Sequence, residues 1–363
     1  MKYKSNPFST AFGSVPPLFL SMPENNIVTN LVERLNANPV TENVFMLTGI
    51  RGSGKTVALT AIEEEIEKDN SWIVIDLNSQ NDLLLDLVAK LYDTQEFISK
   101  FIMAELNLSA FGIGINASAV PPVASIETAF IKILDEIKKK NKKLLIAIDE
   151  ASKTDSMLKF AGSFNLASRK KYPVYLLMTG LLKNFSTLED AKDMTFLRRA
   201  CKLELEPLNY TLVSQKYKEV FEIGLEKAAE LTALTKGYPY AYQVLGKILW
   251  EKGEIELSED VLSEFDLYMD TNVYNKIWRS LTNTEQWYVC HLSIKDDMKV
   301  AELLEMTAKK ANDFSRFRES LREKGVIDTS KYGHISFYLP RFKEFVIRQM
   351  LLEGRRPDNN YGM

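Results

Sequence analysis

The stretch LTGIRGSGKT, Leu47–Thr56, reads G-x-x-x-x-G-K-T from Gly49 to Thr56, the pattern of a loop that wraps nucleotide phosphates. Its flanks suit that reading. NVFMLTG (43–49) is an apolar run of strand length, and after Lys55 the residues Val57, Leu59, Ile62 and Ile66 recur at helical spacing. Gly49, Gly52 and Gly54 let the backbone curl so that successive N–H groups face phosphate oxygens. Ser53 and Val57 belong to the same wrap, and the helix start adds its positive dipole end. Lys55 is expected to reach the β- and γ-phosphates, and Thr56 to place its hydroxyl on Mg²⁺. The ligand expected at such a loop is a nucleotide, ATP or GTP, with Mg²⁺.

Such a loop predicts a partner: an apolar strand ending in an acid that holds the metal. KKLLIAIDEAS (142–152) supplies one. Leu144 to Ile148 form a continuous apolar run, as a strand buried on both faces should. Asp149 stands at its C-terminal end, the edge where open α/β sheets bind ligands. Glu150 follows as the candidate to polarise an attacking water; the alternative is a solvated loop carboxylate. WIVIDLN (72–78), YPVYLLMTG (172–180) and the alternating CKLELEPL (201–208) read as further strands, the last as a half-buried edge. Helical patterns at 83–106, 125–140 and 157–171 lie between them. Alternation of this kind predicts an α/β fold with a parallel sheet and right-handed crossovers. The glycine-rich stretch 108–122 reads as a small extended insert.

Taken together, these pieces resemble the AAA+ P-loop ATPases, in the branch that joins origin-initiator ATPases, STAND signalling ATPases and the archaeal-type ATPases. The resemblance runs over residues 15 to 350 or so. It rests on GIRGSGKT, on the Asp-Glu pair of LLIAIDEAS, on LLMTG (176–180) and on TKGYPYAYQVLGKILW (235–250). It implies a γ-phosphate sensor at Thr179, a helical lid in which Pro239 packs near the adenine with Gly237 permitting the turn, and an arginine finger at Arg198 or Arg199. Two plainer readings stay open: Gly237 and Pro239 as an ordinary helix start, and the two arginines as complements to a helix dipole. The chain departs from the family in carrying LFLSMPENN (18–26) where relatives place a G-R-E/D segment, and in lacking a second-sensor arginine near 237–246. A slow switch fits these departures better than a motor. A GTPase is disfavoured, since no N/T-K-x-D base-reading segment occurs.

Past Pro207 the pattern is helical at 211–222, 226–235, 239–252 and 258–274, a small lid. From about Tyr274 it changes again. Helices over 282–294 (with Thr282 or Asn283 as cap), 299–307 and 309–325 precede two short strands around SKYGH, within 326–342: three helices and a hairpin, the outline of a winged helix. Residues 276–352 hold 14 Lys/Arg against 10 Asp/Glu, a balance of +4 that leaves −7 for the remainder of a chain at −3. In a winged helix the segment 309–333 would meet duplex DNA, with Lys331 near the wing tip; the same module also docks proteins.

Composition fits a soluble intracellular protein. Apolar content is 45% and charged content 26%, ordinary for a globular chain. Cys201 and Cys290 read as reduced thiols, and His291 and His334 leave no His/Cys metal cluster. There is no apolar leader and no 18-residue apolar run, so a cytoplasmic location is expected, and the N-x-S matches at Asn107, Asn116 and Asn184 carry no weight. The domains expected are an ATPase domain over 1–208, a lid over 209–274, a winged-helix domain over 275–352 and a tail over 353–363. The function expected is a nucleotide-driven switch that positions the C-terminal module on DNA or a protein partner, with self-association open. The competing reading is an interaction protein that holds ADP or ATP as a structural ligand with negligible turnover.

Overall fold

The computed structural model describes residues 4–11, 13–19, 27–114, 123–192 and 194–354. Of the stretches singled out in the sequence, 20–26, 115–122 (with Asn116) and the tail from 355 lie outside the described residues. Two compact units divide the chain: one takes 23–49 and 55–205, the other 1–22, 50–54 and 206–363.

The first unit is a sheet covered on both faces. Its elements run α1 (Ile27–Leu35), β1 (Val44–Thr48), α2 (Lys55–Ile66), β2 (Trp72–Leu77), α3 (Leu83–Thr94), α4 (Glu96–Glu105), α5 (Ile126–Lys139), β3 (Lys143–Ile148), α6 (Asp155–Arg169), β4 (Val174–Gly180), α7 (Leu182–Glu189) and β5 (Cys201–Glu204). All strand pairs are parallel, in the order β2-β3-β4-β1-β5. The period-2 pleat sorts each strand between two cores. Leu144, Ile146 and Ile148 of β3 join Met46, Leu176 and Met178 and the apolar residues of α3 to α7 on one face. Leu145 and Ala147 join Phe45, Leu47, Leu177 and the inner residues of α1 and α2 on the other. A strand buried on both sides has to be apolar throughout, and the run LLIAI meets that requirement. β5 alternates half-buried and exposed residues as an edge strand does.

The 83–106 helix is in fact two. Gln95 takes an extended conformation (φ −116°, ψ 98°) and separates α3 from α4, with Leu91 and Ile98 both fully buried on either side of the break. Thr154 caps α6 and Ser125 caps α5 through their side chains.

In the second unit the helices are α8 (Tyr210–Phe221), α9 (Leu225–Thr235), α10 (Pro239–Lys252), α11 (Glu259–Met269) and α12 (Asn275–Ser280), with a π-turn over Asp270–Tyr274 interrupting the expected 258–274 helix. Then come α13 (Asn283–Leu292), β6 (Asp297–Lys299), α14 (Val300–Thr307), α15 (Ala311–Glu323), β7 (Ile327–Asp328), β8 (His334–Phe337) and α16 (Phe342–Leu352). β6, β8 and β7 form an antiparallel sheet in that order. One continuous core runs through the unit, from Val213 to Met350, and takes in Phe8 and Leu18 from the N-terminal segment. That segment is built in closely: a Cβ on Gly246 would lie 2.4 Å from the Phe8 ring. The Ser9 amide donates to Gln243 Oε1 at 3.0 Å, and Gln243 Nε2 donates to the Leu18 carbonyl at 3.2 Å.

Candidate functional site

The polar cluster of the sheet unit forms where three strands end. Thr56, in the first turn of α2, donates through Oγ1 to Asp149 Oδ2 at 2.8 Å. Asp149 follows the last residue of β3. Thr179 lies near the end of β4, paired with Leu47 of β1 in register, and is fully buried. Its hydroxyl has one proton and two lone pairs, and both kinds of capacity are used: Oγ1 donates to Asp149 Oδ1 and accepts the Glu150 amide at 3.1 Å. The Glu150 amide also donates to Asp149 Oδ1 at 3.0 Å, and the Ala151 amide to the Thr179 carbonyl at 2.8 Å. Glu150 sits at φ +51°, a left-handed conformation that costs an L-residue on the order of 1–2 kcal/mol. Its amide bonds to Thr179 and Asp149 hold it there, with the side chain left exposed.

Glu63, which the sequence reading passed over, stands behind this cluster. It lies on α2 seven residues after Thr56, and so on the same helix face. Burial first, then the neighbouring Asp76 and other acids including Asp149, push its carboxyl up to about 8. Its buried Oε1 has no hydrogen-bond partner among the described residues. Partial desolvation also raises Asp76 on β2 above the usual carboxylate range, partly offset by Lys90, although the residue is exposed to solvent.

The loop itself behaves as its glycines require. Gly52 and Gly54 have φ +75° and +88°, where only glycine rests without strain, and the Ser53 amide closes a turn on the Ile50 carbonyl at 3.3 Å. Ser53 is only 7% exposed, with its hydroxyl unpartnered among the described residues. Lys55 Nζ donates to the Gly49 carbonyl at 2.9 Å, and Val57 is half-buried on α2. A buried orphan hydroxyl inside an amide-lined loop fits a phosphate. The oxygen pair Thr56–Asp149 fits Mg²⁺, a hard cation that prefers oxygen ligands.

The other expected residues belong to other elements. Arg198 and Arg199 are exposed at the end of a short 3₁₀ turn (Thr195–Arg199) before β5, and Arg198 pairs with Asp190 at 3.0 Å. Pro239 is the first residue of α10. Gly237 has φ +71°, its carbonyl accepts the Leu208 amide at 2.7 Å, and a Cβ there would meet the Leu208 carbonyl at 2.6 Å. Turn geometry by itself therefore demands glycine at 237.

Residues 24–178 match the model of the KAP family P-loop domain. They form a P-loop NTPase domain. Residues 271–346 separately match a domain of unknown function (DUF8462). Among solved structures, a Walker-type ATPase of Pyrococcus abyssi is similar at 16% identity and TM-score 0.62, over 88% of this chain and 94% of that one. The ORC2 protein of Aeropyrum pernix, solved in ADPNP-ADP complexes, is similar at 14% identity and TM-score 0.56, over 92% and 95%. At this identity the likeness shows a shared fold, and it extends beyond the P-loop NTPase domain through most of the chain. A STAND protein of Pyrococcus horikoshii follows at TM-score 0.40, with this chain covering 48% of its length. No curated protein matches the chain. Among the described residues no helix is long and apolar enough to cross a membrane.

Proposed function

We propose that the protein is an ATP-binding switch that hydrolyses slowly and uses the nucleotide state to position its C-terminal module on DNA or a protein partner. The observation that carries this reading is the Thr56–Asp149–Thr179–Glu150 network. It fixes both oxygens of a carboxylate beside a phosphate loop and sets an exposed acid on the adjoining residue. In this reading the loop residues Gly49 to Val57 hold the phosphates, and Thr56 and Asp149 hold Mg²⁺, which would neutralise phosphate charge. Glu150 draws a proton from water. Thr179 acts by orienting Asp149 and Glu150. The order α13-β6-α14-α15-β7-β8 supports a winged helix. Of its basic residues, Arg322, Lys324 and Lys331 already pair with Glu319, Glu285 and Asp297, which leaves a phosphate-binding footprint resting chiefly on Lys310, Arg316 and Arg318.

A second reading, nucleotide as a structural ligand, is favoured by Lys55 turned onto its own loop and by Arg198 tied to Asp190. Steady-state ATP turnover at several protein concentrations, with Glu150→Gln as the blank and with or without duplex DNA, separates the two. The switch requires slow turnover that vanishes in E150Q while ATP affinity remains. Tightly held ADP that does not exchange, with wild type no faster than the blank, establishes the structural ligand instead. If DNA is the partner, log affinity should fall with log salt at a slope of about −3, from three phosphate contacts.

A further inference from the structure

The unit that contains Ile50–Gly54 grips that loop at three consecutive residues. Tyr238, the residue before α10, donates through its hydroxyl to the Arg51 carbonyl at 2.5 Å. A Cβ on Gly52 would lie 1.9 Å from the same hydroxyl oxygen. Ile50 packs against Gly325, just past α15, where a Cβ would meet Ile50 Cγ2 at 2.4 Å. Tyr238 is only 2% exposed, and burial holds its phenol far above the ordinary range, so it stays a donor. A buried hydroxyl needs a partner, and this one finds it in a loop peptide some 187 residues earlier in the chain.

The consequence lies in the geometry of one peptide. A trans peptide is planar, with its C=O and N–H pointing in opposite directions. Anchoring the Arg51 carbonyl on Tyr238 therefore turns the Gly52 N–H to the opposite side. We propose that Tyr238 is a positioning residue of the phosphate loop, fixing the 51–52 peptide so that the Gly52 amide faces the phosphates of a bound nucleoside di- or triphosphate. The proposal rests on the nucleotide reading above. It also gives Gly52 a second reason to be glycine: besides its φ, the position has to admit the phenol.

Tyr238→Phe keeps the ring and removes only the donor. ADP and ATP affinities, read by calorimetry, should fall about ten-fold, the worth of one well-made hydrogen bond. AMP, read by competition, should lose less, so the preference for ADP over AMP narrows; a merely structural Tyr238 would weaken all three alike. Hydrogen exchange in a peptide spanning 49–56 should quicken in the nucleotide-free variant, while 143–148 stays unchanged. Gly52→Ala should cost less in a Tyr238→Ala background than alone, because only the clash is relieved. An unchanged ADP-to-AMP ratio together with unchanged exchange at 49–56 overturns the proposal. Wild-type protein that binds neither ADP nor ATP overturns the nucleotide reading itself, and with it the phosphate half of the proposal, while exchange at 49–56 still decides whether Tyr238 holds the loop.

Discussion

The acids near the phosphate loop and the buried acids of the second unit are handled in opposite ways. In the second unit each buried carboxylate meets a cation. Asp266 accepts from Arg341 at 2.6 Å and from Arg348 at 2.8 Å, and Asp270 from Arg348 at 2.8 Å. Glu285 accepts from Lys324 at 2.7 Å while also closing the capping box of α13 with Thr282. Bonds from Lys324, Ser320 and Thr282 outweigh burial and hold Glu285 below the usual range. In the first unit, Asp149 just past β3, Asp76 on β2 and Glu63 on α2 have no ion-pair partner among the described residues, and the last two are pushed up. Carboxylates paired internally serve the fold. The acids near the phosphate loop have no such cation, and Glu63, raised to about 8, stays largely protonated at neutral pH.

The comparison breaks most visibly at the paired end. Lys324→Met strands Glu285, which is 2% exposed, and should cost about 4 kcal/mol in denaturant unfolding, because an uncompensated charge stays buried. A loss under about 1 kcal/mol would mean the pair is better solvated than its geometry indicates.

The unpaired end predicts the reverse for Glu63→Gln, a gain. A carboxyl raised to about 8 in the folded state from an ordinary value near 4.5 favours folding fully below pH 4.5, and loses that contribution as pH climbs through 8. Wild-type stability should therefore sag between pH 5 and 9. The Gln variant should be flatter and ahead by about 2 kcal/mol at pH 9, a figure discounted for partial burial. Parallel pH profiles for the two proteins would remove Glu63 from the account.

Thr179→Val tests whether the cluster is built for metal. It orphans one bond to Asp149 and one from the Glu150 amide, and should weaken Mg²⁺-dependent ATP binding roughly ten-fold. Metal-free ADP binding should hardly change; an equal loss in both would assign Thr179 to the loop's shape alone. The smallest effect belongs to Arg198→Ala, whose exposed pair with Asp190 is worth about 0.5 kcal/mol of stability. The same variant sharpens the question of the arginine finger: turnover that falls steeply at high protein concentration, with stability intact, would place Arg198 at a neighbour's phosphate.

Sequence pattern carried the sheet well, because a doubly covered strand such as LLIAI cannot be written any other way and the phosphate loop must follow β1. Thr56 and Asp149 were legible for the same reason: motif and strand end coincide, and the structure brings the two within a hydrogen bond. The break at Gln95 was not, since no Gly or Pro marks it and apolar spacing continues across it. β6 is three residues long with only Met298 buried, too short to show a period. The π-turn at Asp270–Tyr274 hides inside an unbroken helical pattern. Glu63 escaped because its character comes from burial and from acids on other elements, neither of which local spacing records. Tyr238 sat unnoticed beside the proline that drew attention.

One arrangement bears on how the chain is made. Phe8 and Leu18 belong to a core whose other members begin at Val213, and the Phe8 ring lies where Gly246 leaves room for it. About 240 residues separate the two. At a synthesis rate of about 5–20 residues per second, the opening segment emerges roughly 10–50 s before its partner helix exists. The sheet unit, complete by Leu205, can close during that wait, while Phe8 and Leu18 remain apolar surface on the nascent chain, open to a ribosome-associated chaperone until α10 emerges.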